Sequence, residues 1–128
     1  MIYVDTSVVL AQLLAEDRRP PPALWDEQLV ASRLVEYETW VRLHALRRAT
    51  SHGEAARDLL SRLSLVELSP IVLERALEPF PAPVRTLDAI HLSSLEFLRA
   101  RRLEVSLATY DDRMARAAAA LGISCRAL

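Results

Sequence analysis

The sequence contains no lysine, a single cysteine and only two glycines among its 128 residues, and all sixteen basic residues are arginines. Chemistry that requires a lysine is therefore excluded. Gly53 and Gly122 are too far apart to form the glycine-rich loops that bind nucleotide phosphates. The lone Cys125 cannot form an internal disulfide, so we expect a reducing, cytoplasmic environment and interpret Cys125 as a small buried apolar residue.

Long hydrophobic runs and a strong net charge are also missing. No apolar stretch approaches the roughly 18–20 residues of a membrane span, and we expect no membrane association. Asp5 interrupts the first apolar residues, so a secretory signal is not expected. The net charge of −1 provides no general cationic field, and RNA binding would depend on local arginines or on a metal ion.

The composition is that of one globular domain over residues 1–128, with 52% apolar and 26% charged residues. Short apolar segments predict strands at 2–4, 29–31, 65–68, 105–108 and 123–125. Between them the patterns predict helices at 7–16, 34–49, 54–63, from 69–70 onward, 87–99 and 110–121, with Gly122 as the stop of the last helix. This alternation predicts a three-layer α/β/α fold with a central, mainly parallel, Rossmann-like sheet.

The functional site of such a sheet is expected at the carboxyl ends of its strands, and acidic residues follow two of them. Asp5 comes directly after the first strand, although Asp5, Thr6 or Ser7 could instead be an ordinary helix cap. Asp111 and Asp112 follow the fourth predicted strand, at 105–108, and lie in the first turn of the next helix. A favourable contact with the helix dipole also explains each of them individually.

Glu38 is the acidic candidate of the predicted 34–49 helix. Winding this helix at 100° per residue gives an apolar face of Leu34, Val41 and Ala45. Glu38 lies inside that face, whereas Glu36 lies opposite, beside Leu43. A carboxylate on a core face is unfavourable unless it is compensated, which indicates a functional role for Glu38. The alternative is an i,i+4 ion pair with Arg42.

Asp88 borders an apolar stripe in the first turn of the predicted 87–99 helix. Stabilisation by the helix dipole is again the alternative explanation. His91, one turn later, is interpreted as a packed, hydrogen-bonded histidine rather than as a metal ligand.

Together these acids would form an unstable cluster. Two unit charges about 4 Å apart repel by about 4 kcal/mol at an effective dielectric constant of about 20, so a cluster of three or four carboxylates takes up protons or binds a cation. Oxygen ligands without a cysteine or histidine cluster favour Mg²⁺, with Mn²⁺ as a substitute. Spacing alone does not establish that the four positions converge.

Four segments resemble the motifs of the PIN-domain family, in the family's order and over nearly the whole chain. They are residues 2–7, 32–38, 87–92 and 109–114, the last continuing to Gly122. The third and fourth together are the most specific. The length of the chain is similar to that of VapC-type toxins of toxin–antitoxin pairs rather than to larger PIN nucleases.

The resemblance implies a metal-dependent endoribonuclease that hydrolyses RNA phosphodiesters, with the metal held by Asp5, Glu38, Asp88 and Asp111. It leaves Asp111 or Asp112 as the fourth acid, and we favour Asp111. It also implies a homodimer and a VapB-type antitoxin that blocks the site.

Further residues near the motifs are predicted to assist. Thr6, Ser7 and Thr109 could donate hydrogen bonds to a ligand carboxylate or to phosphate. Arg85 and Arg113 are candidate phosphate contacts, with solvated surface arginines as the equal alternative.

Two other functions compete with this interpretation. Haloacid-dehalogenase-like phosphatases and receiver domains also place an aspartate after a strand, but they use a lysine, which this chain lacks, and the phosphatases carry a second acid where Ser7 stands. The other competitor is a catalytically silent PIN-like module that binds RNA or protein.

Overall fold

The computed structural model describes residues 1–128 and contains four strands and six α-helices. In chain order the elements are β1 (Ile2–Val4), α1 (Thr6–Leu13), a 3₁₀ helix (Pro22–Asp26), β2 (Leu29–Ser32), α2 (Leu34–Ala45), α3 (Ala49–Leu60), β3 (Ser64–Val66), α4 (Pro70–Ala76), α5 (Thr86–Ala100), β4 (Ser106–Ala108) and α6 (Asp112–Ala120).

The strands form one parallel sheet in the order β3-β2-β1-β4. In its centre, Tyr3 of β1 pairs with Val30 on one side and with Leu107 on the other. The chain builds β2 and β3 on one side of β1 and then crosses to β4 on the other. The carboxyl ends of β1 and β4 therefore flank the topological switch point, where a crevice is expected.

Each face of the sheet carries its own apolar core, which confirms the predicted three-layer α/β fold. Tyr3 points to a core that includes Leu92 of α5 and Met114 of α6. Ile2 and Val4 point to the opposite core, which is completed by α1, α2 and α3. Because both faces of β1 are covered, its three residues are all buried, as the uninterrupted apolar run predicts.

The predicted buried face of α2 is wrong. Val41 is 47% exposed and Ala45 is also exposed, whereas Leu43, placed on the opposite side by the helical winding, is fully buried. The buried residues are Leu34, Val35, Thr39 and Leu43. Because α2 packs against α1 and α3 as well as the sheet, its buried face turns away from the one predicted by assuming a single apolar stripe.

Two predicted elements also differ in extent. Residues 46–48 separate α2 from α3, which begins at Ala49, five residues before the predicted start. The predicted strand at 123–125 is only an isolated bridge between Leu107 and Cys125. Cys125 is exposed rather than buried, because it lies outside both core clusters.

Four helices end with a residue in the left-handed conformation, in the arrangement of a Schellman motif. These residues are Ala15 after α1, Arg47 after α2, Arg102 after α5 and Gly122 after α6. At the last of them, Gly122 N–H bonds to the Ala119 carbonyl and Ile123 N–H to the Ala118 carbonyl. This confirms Gly122 as the stop of α6. None of the six helices has the length and apolar character needed to cross a bilayer.

Candidate active site

Asp5 directly follows β1 at the switch point, but its side chain makes no capping hydrogen bond to α1. Its two carboxylate oxygens instead accept hydrogen bonds from the hydroxyls of Ser7 (2.6 Å) and Thr109 (2.5 Å). Both hydroxyls are themselves oriented by backbone donors: Tyr110 N–H bonds to Ser7 Oγ and Asp111 N–H to Thr109 Oγ1, each at 2.9 Å. The turn after β4 is therefore built around the Asp5 carboxylate. Asp5 occupies the N-cap position of α1, but its side chain makes no capping hydrogen bond.

Asp5 is only 4% exposed. Burial raises the pKa of its carboxyl group, and the hydrogen bonds from Ser7 and Thr109 together with the nearby His91 only partly offset this effect. The charged form of Asp5 is consequently destabilised and is best compensated by a cation.

Glu38, a half-buried residue of α2, reaches the same region. Its Oε1 atom accepts hydrogen bonds from Thr6 Oγ1 at 2.7 Å and from His91 Nε2 at 2.6 Å. Burial raises the pKa of Glu38, but the hydrogen bond and charge of His91 and the hydrogen bond from Thr6 outweigh it, and the net shift is downward. No ion pair with Arg42 forms, so that alternative is not observed.

Glu36, by contrast, forms an ion pair with Arg33 at 3.1 Å on the outer side of α2. The structure thus places Glu38, and not Glu36, beside Thr6 and His91. The helical winding that singled out Glu38 nevertheless placed the buried face of α2 incorrectly.

Behind Glu38, a buried chain of hydrogen bonds involves Tyr3, which the sequence patterns did not single out. The Tyr3 hydroxyl accepts from Ser32 N–H at 3.1 Å and lies 2.8 Å from His91 Nδ1. With a neutral ring, the phenol proton is donated to Nδ1 and the ring proton on Nε2 is donated to Glu38; with a protonated ring, Nδ1–H donates to the phenol oxygen and Nε2–H still donates to Glu38. His91 is 3% exposed, as its interpretation as a packed, hydrogen-bonded histidine predicts. A tyrosine inside a fully apolar strand was the available signal, because a buried phenol needs a partner.

Asp88 lies in the first turn of α5, where its Oδ2 atom accepts a hydrogen bond from Arg85 N–H at 3.1 Å. Arg113 Nη1 lies 3.9 Å from the same oxygen, at the edge of ion-pair distance. The side chain of Arg85 forms no ion pair. Asp88 thus links the start of α5 to the start of α6.

Asp111 caps α6: its Oδ1 atom accepts from Arg113 N–H at 2.9 Å and from Met114 N–H at 3.2 Å. Its own N–H bonds to Thr109 Oγ1, the hydroxyl that donates to Asp5. Asp112 is exposed and forms no side-chain hydrogen bond or ion pair. The backbone of Asp111 is thus linked to Asp5 through the Thr109 hydroxyl.

No group of three or more acidic, histidine or cysteine side chains is close enough to hold a metal ion directly in this arrangement. Mg²⁺, however, commonly binds through one or two carboxylates and retains several water molecules. Glu38, Asp88 and Asp111 each use one carboxylate oxygen within the protein and leave the other without a protein partner. This oxygen-rich donor set fits a hydrated magnesium ion and does not fit zinc.

The fold and this region together define an α/β protein with an acidic, hydroxyl-supported site at the switch point of a parallel sheet. The model of the PIN domain family matches residues 2–120. The chain belongs to the PIN domain family.

Curated relatives cover nearly the whole chain. Ribonuclease VapC46 of Mycobacterium tuberculosis is 34% identical over 129 aligned residues, which span 96% of this chain and 94% of the relative. Ribonuclease VapC35 of the same species is 31% identical and spans 97% and 94% of the two chains.

Solved structures share the fold. A toxin–antitoxin complex from Klebsiella pneumoniae contains a chain that matches with a TM-score of 0.64 and 21% identity, covering 90% of this chain and 91% of that one. The crystal structure of PAE2754 from Pyrobaculum aerophilum matches with a TM-score of 0.62 and 21% identity, covering 91% and 78%.

Proposed function

We propose that this protein is a metal-dependent endoribonuclease of the VapC type and the toxin of a toxin–antitoxin pair. The observation that carries the proposal is the convergence of the acids at the switch point. Thr109 Oγ1 donates to the Asp5 carboxylate and accepts from the Asp111 N–H, while Thr6, the residue after Asp5, donates to Glu38. Asp88 lies near Arg113 at the start of α6. Relatives named as VapC ribonucleases over almost the full length of the chain support the same function.

Within this function, Asp5 and Asp88 would hold Mg²⁺, or Mn²⁺ in its place, directly or through water. The bound ion supplies a water molecule of lowered pKa and neutralises charge developing on the phosphate. Glu38 and Asp111 would complete the ligand shell or orient the attacking water. Attack of water on phosphorus would break the bond to the 3′ oxygen and leave a 3′-hydroxyl and a 5′-phosphate.

The supporting side chains keep the acids in position. Thr6 and His91 donate to the same oxygen of Glu38, and their hydrogen bonds lower the pKa of this carboxyl group despite its burial. Ser7 and Thr109 hold both oxygens of Asp5. Such preorganisation matters because a loosely held carboxylate would have to be ordered again in each catalytic cycle.

The proposed partners follow from the toxin role. They are an RNA substrate, a second copy of the chain in a homodimer, and a VapB-type antitoxin that blocks the acidic site. The toxin–antitoxin complex among the structural relatives supports an antitoxin partner. We place the protein in the cytoplasm, where RNA is available.

The test is cleavage of a mixed total-RNA substrate by the purified, partner-free protein in Mg²⁺, in Mn²⁺ and in EDTA. Asp5→Asn is the site variant, and Glu36→Gln is its matched control because Glu36 lies on the outer side of α2. We expect cleavage that needs metal, is abolished in Asp5→Asn and is unchanged in Glu36→Gln. Full activity of Asp5→Asn would refute the site. RNA binding without cleavage in any metal would favour the catalytically silent module.

A further inference from the structure

A cavity of about 500 Å³ opens beside the acidic site and extends away from it along α1. Ser7 and Asp111 of the acidic site line it together with Leu10, Glu16, Arg18, Arg42 and Tyr110. The cavity is thus continuous with the two residues that contact, directly or through Thr109, the Asp5 carboxylate. Of the other lining residues, Tyr110 lies within a motif segment, whereas Leu10, Glu16, Arg18 and Arg42 lie outside all four.

Neither arginine of this cavity forms an ion pair within the protein. Arg18 is held in place because its Nη1 donates to the Tyr110 carbonyl at 3.2 Å. Neither Arg18 nor Arg42 has a carboxylate oxygen within 4.0 Å, whereas Arg33 and Arg75 are paired with glutamates. Glu16 also lines the cavity and pairs with neither of them. Exposed, unpaired guanidinium groups are available to bind phosphate.

Tyr110 is fixed at three points. Its N–H donates to Ser7 Oγ at 2.9 Å, its carbonyl accepts from Arg18, and its ring packs against the apolar core on the α1 side of the sheet. The half-buried ring still lines the cavity. An aromatic side chain held in this way is a rigid surface on which a base can stack.

We propose that this cavity binds single-stranded RNA next to the scissile phosphate, with Tyr110 stacking on a base and Arg18 and Arg42 contacting the backbone. The proposal rests on the proposed ribonuclease function and identifies how that site holds its substrate. The chain carries a net charge of −1 and four acids in the site, so affinity for a polyanion has to come from local cations outside the acidic cluster. A cationic groove with an aromatic platform is the arrangement that binds single strands with little sequence preference.

Binding is measured separately from cleavage. Fluorescence anisotropy with a labelled single-stranded oligoribonucleotide is carried out in Mg²⁺ on the Asp5→Asn protein, so that the RNA stays intact. Arg18→Gln, Arg42→Gln and Tyr110→Leu are each added to this background. Arg102→Gln is the matched control. Arg102 is exposed and follows the carboxyl end of α5, whereas Asp88 lies in the first turn at the other end of this helix.

We expect each cavity arginine variant to weaken RNA binding several-fold at low salt and to reduce the slope of log affinity against log salt by about 0.7. Tyr110→Leu is expected to weaken binding about tenfold without changing the slope, because stacking releases no counterions. Arg102→Gln is expected to bind like its parent, and a duplex of the same sequence more weakly than the single strand.

The same substitutions in the wild-type background are expected to raise KM for RNA cleavage and to leave kcat unchanged. If wild type cleaves RNA and the three cavity variants bind and cleave like it, the cavity proposal is wrong and the nuclease stands. If the cavity variants lose binding but wild type never cleaves, the cavity stands and the nuclease fails. A loss of affinity in Arg102→Gln equal to that of the arginine variants would also overturn the cavity proposal.

Discussion

His91 donates a 2.6 Å hydrogen bond from Nε2 to Glu38 and thereby links a candidate catalytic acid on α2 to the buried face of α5. The other ring nitrogen faces the hydroxyl of Tyr3 in the central strand. A half-buried carboxylate is in this way positioned from the centre of the sheet. The relationship also explains why a histidine is tolerated at 3% exposure, since both of its ring nitrogens have partners.

Tyr3→Phe tests this buried chain. The substitution leaves the Ser32 N–H without its acceptor and His91 Nδ1 without its hydrogen-bond partner. An unsatisfied buried polar group costs about 1–3 kcal/mol, and we expect the free energy of unfolding to fall by about that amount. Urea denaturation measures the change. Tyr37→Phe, on a tyrosine that is 67% exposed, is the control and is expected to have no effect; equal effects of the two variants would contradict the assigned role.

Asp5→Asn is expected to stabilise the metal-free protein at neutral pH. Because burial raises the pKa of Asp5 above that of an ordinary aspartate, the folded state binds this proton more tightly than the unfolded state. Stability is therefore lost as the pH rises from the unfolded pKa through the raised folded pKa. The variant lacks this loss, so its advantage in EDTA should be present at pH 7 and disappear in acid.

Magnesium is expected to favour the wild type over Asp5→Asn in thermal stability. The ion should raise the melting temperature of the wild type by compensating the buried charge, and it should do so much less in Asp5→Asn. Thermal unfolding of both proteins with EDTA or Mg²⁺ provides the measurement. A wild-type melting temperature indifferent to Mg²⁺ and to Mn²⁺ would contradict a metal site at Asp5.

Asp111→Asn separates the two candidates for the fourth acid. Asparagine is as good a helix cap as aspartate, so the hydrogen bonds from the first turn of α6 and the overall stability should persist. The charge near Asp5 is lost, and we expect RNA cleavage to fall by about 10–100-fold. Asp112→Asn, at the exposed neighbouring position, should cleave like wild type. The reverse order of effects would assign the role to Asp112.

The left-handed residues that follow the helices give a pair of opposite stability predictions. A β-carbon on Gly122 would meet no atom within 4 Å, so Gly122→Ala tests only the φ angle of 75°. We expect a loss of about 1 kcal/mol, or a few degrees in melting temperature. Ala15, at φ 51°, occupies the equivalent position after α1.

Ala15→Gly should therefore stabilise the protein, although by less than Gly122→Ala destabilises it. The added freedom of glycine in the unfolded chain offsets part of the strain that is relieved. Calorimetry on both variants measures the two shifts, and shifts of the same sign would contradict the argument.

Much of the fold follows from local sequence patterns. The apolar run of β1 predicts a strand covered on both faces, and Pro70 and Gly122 mark the beginning of α4 and the end of α6. The buried face of α2 was not predictable in the same way, because contacts with α1 and α3 decide it as much as the sheet does. The segment around Cys125 reads as a strand, but only one bridge to Leu107 forms.

What the sequence by itself determined is the set of chemical groups and their local surroundings: carboxylates after β1 and β4, an acid in the first turn of α5, and no lysine or glycine-rich loop. What only the tertiary structure decided is which of these groups meet. Thr109 lies 104 residues from Asp5, and Tyr3 lies 88 residues from His91, yet each pair shares a hydrogen bond. Helical and strand periodicities describe neighbours a few residues apart, whereas contacts of this kind exist only once a parallel sheet has aligned the carboxyl ends of its strands.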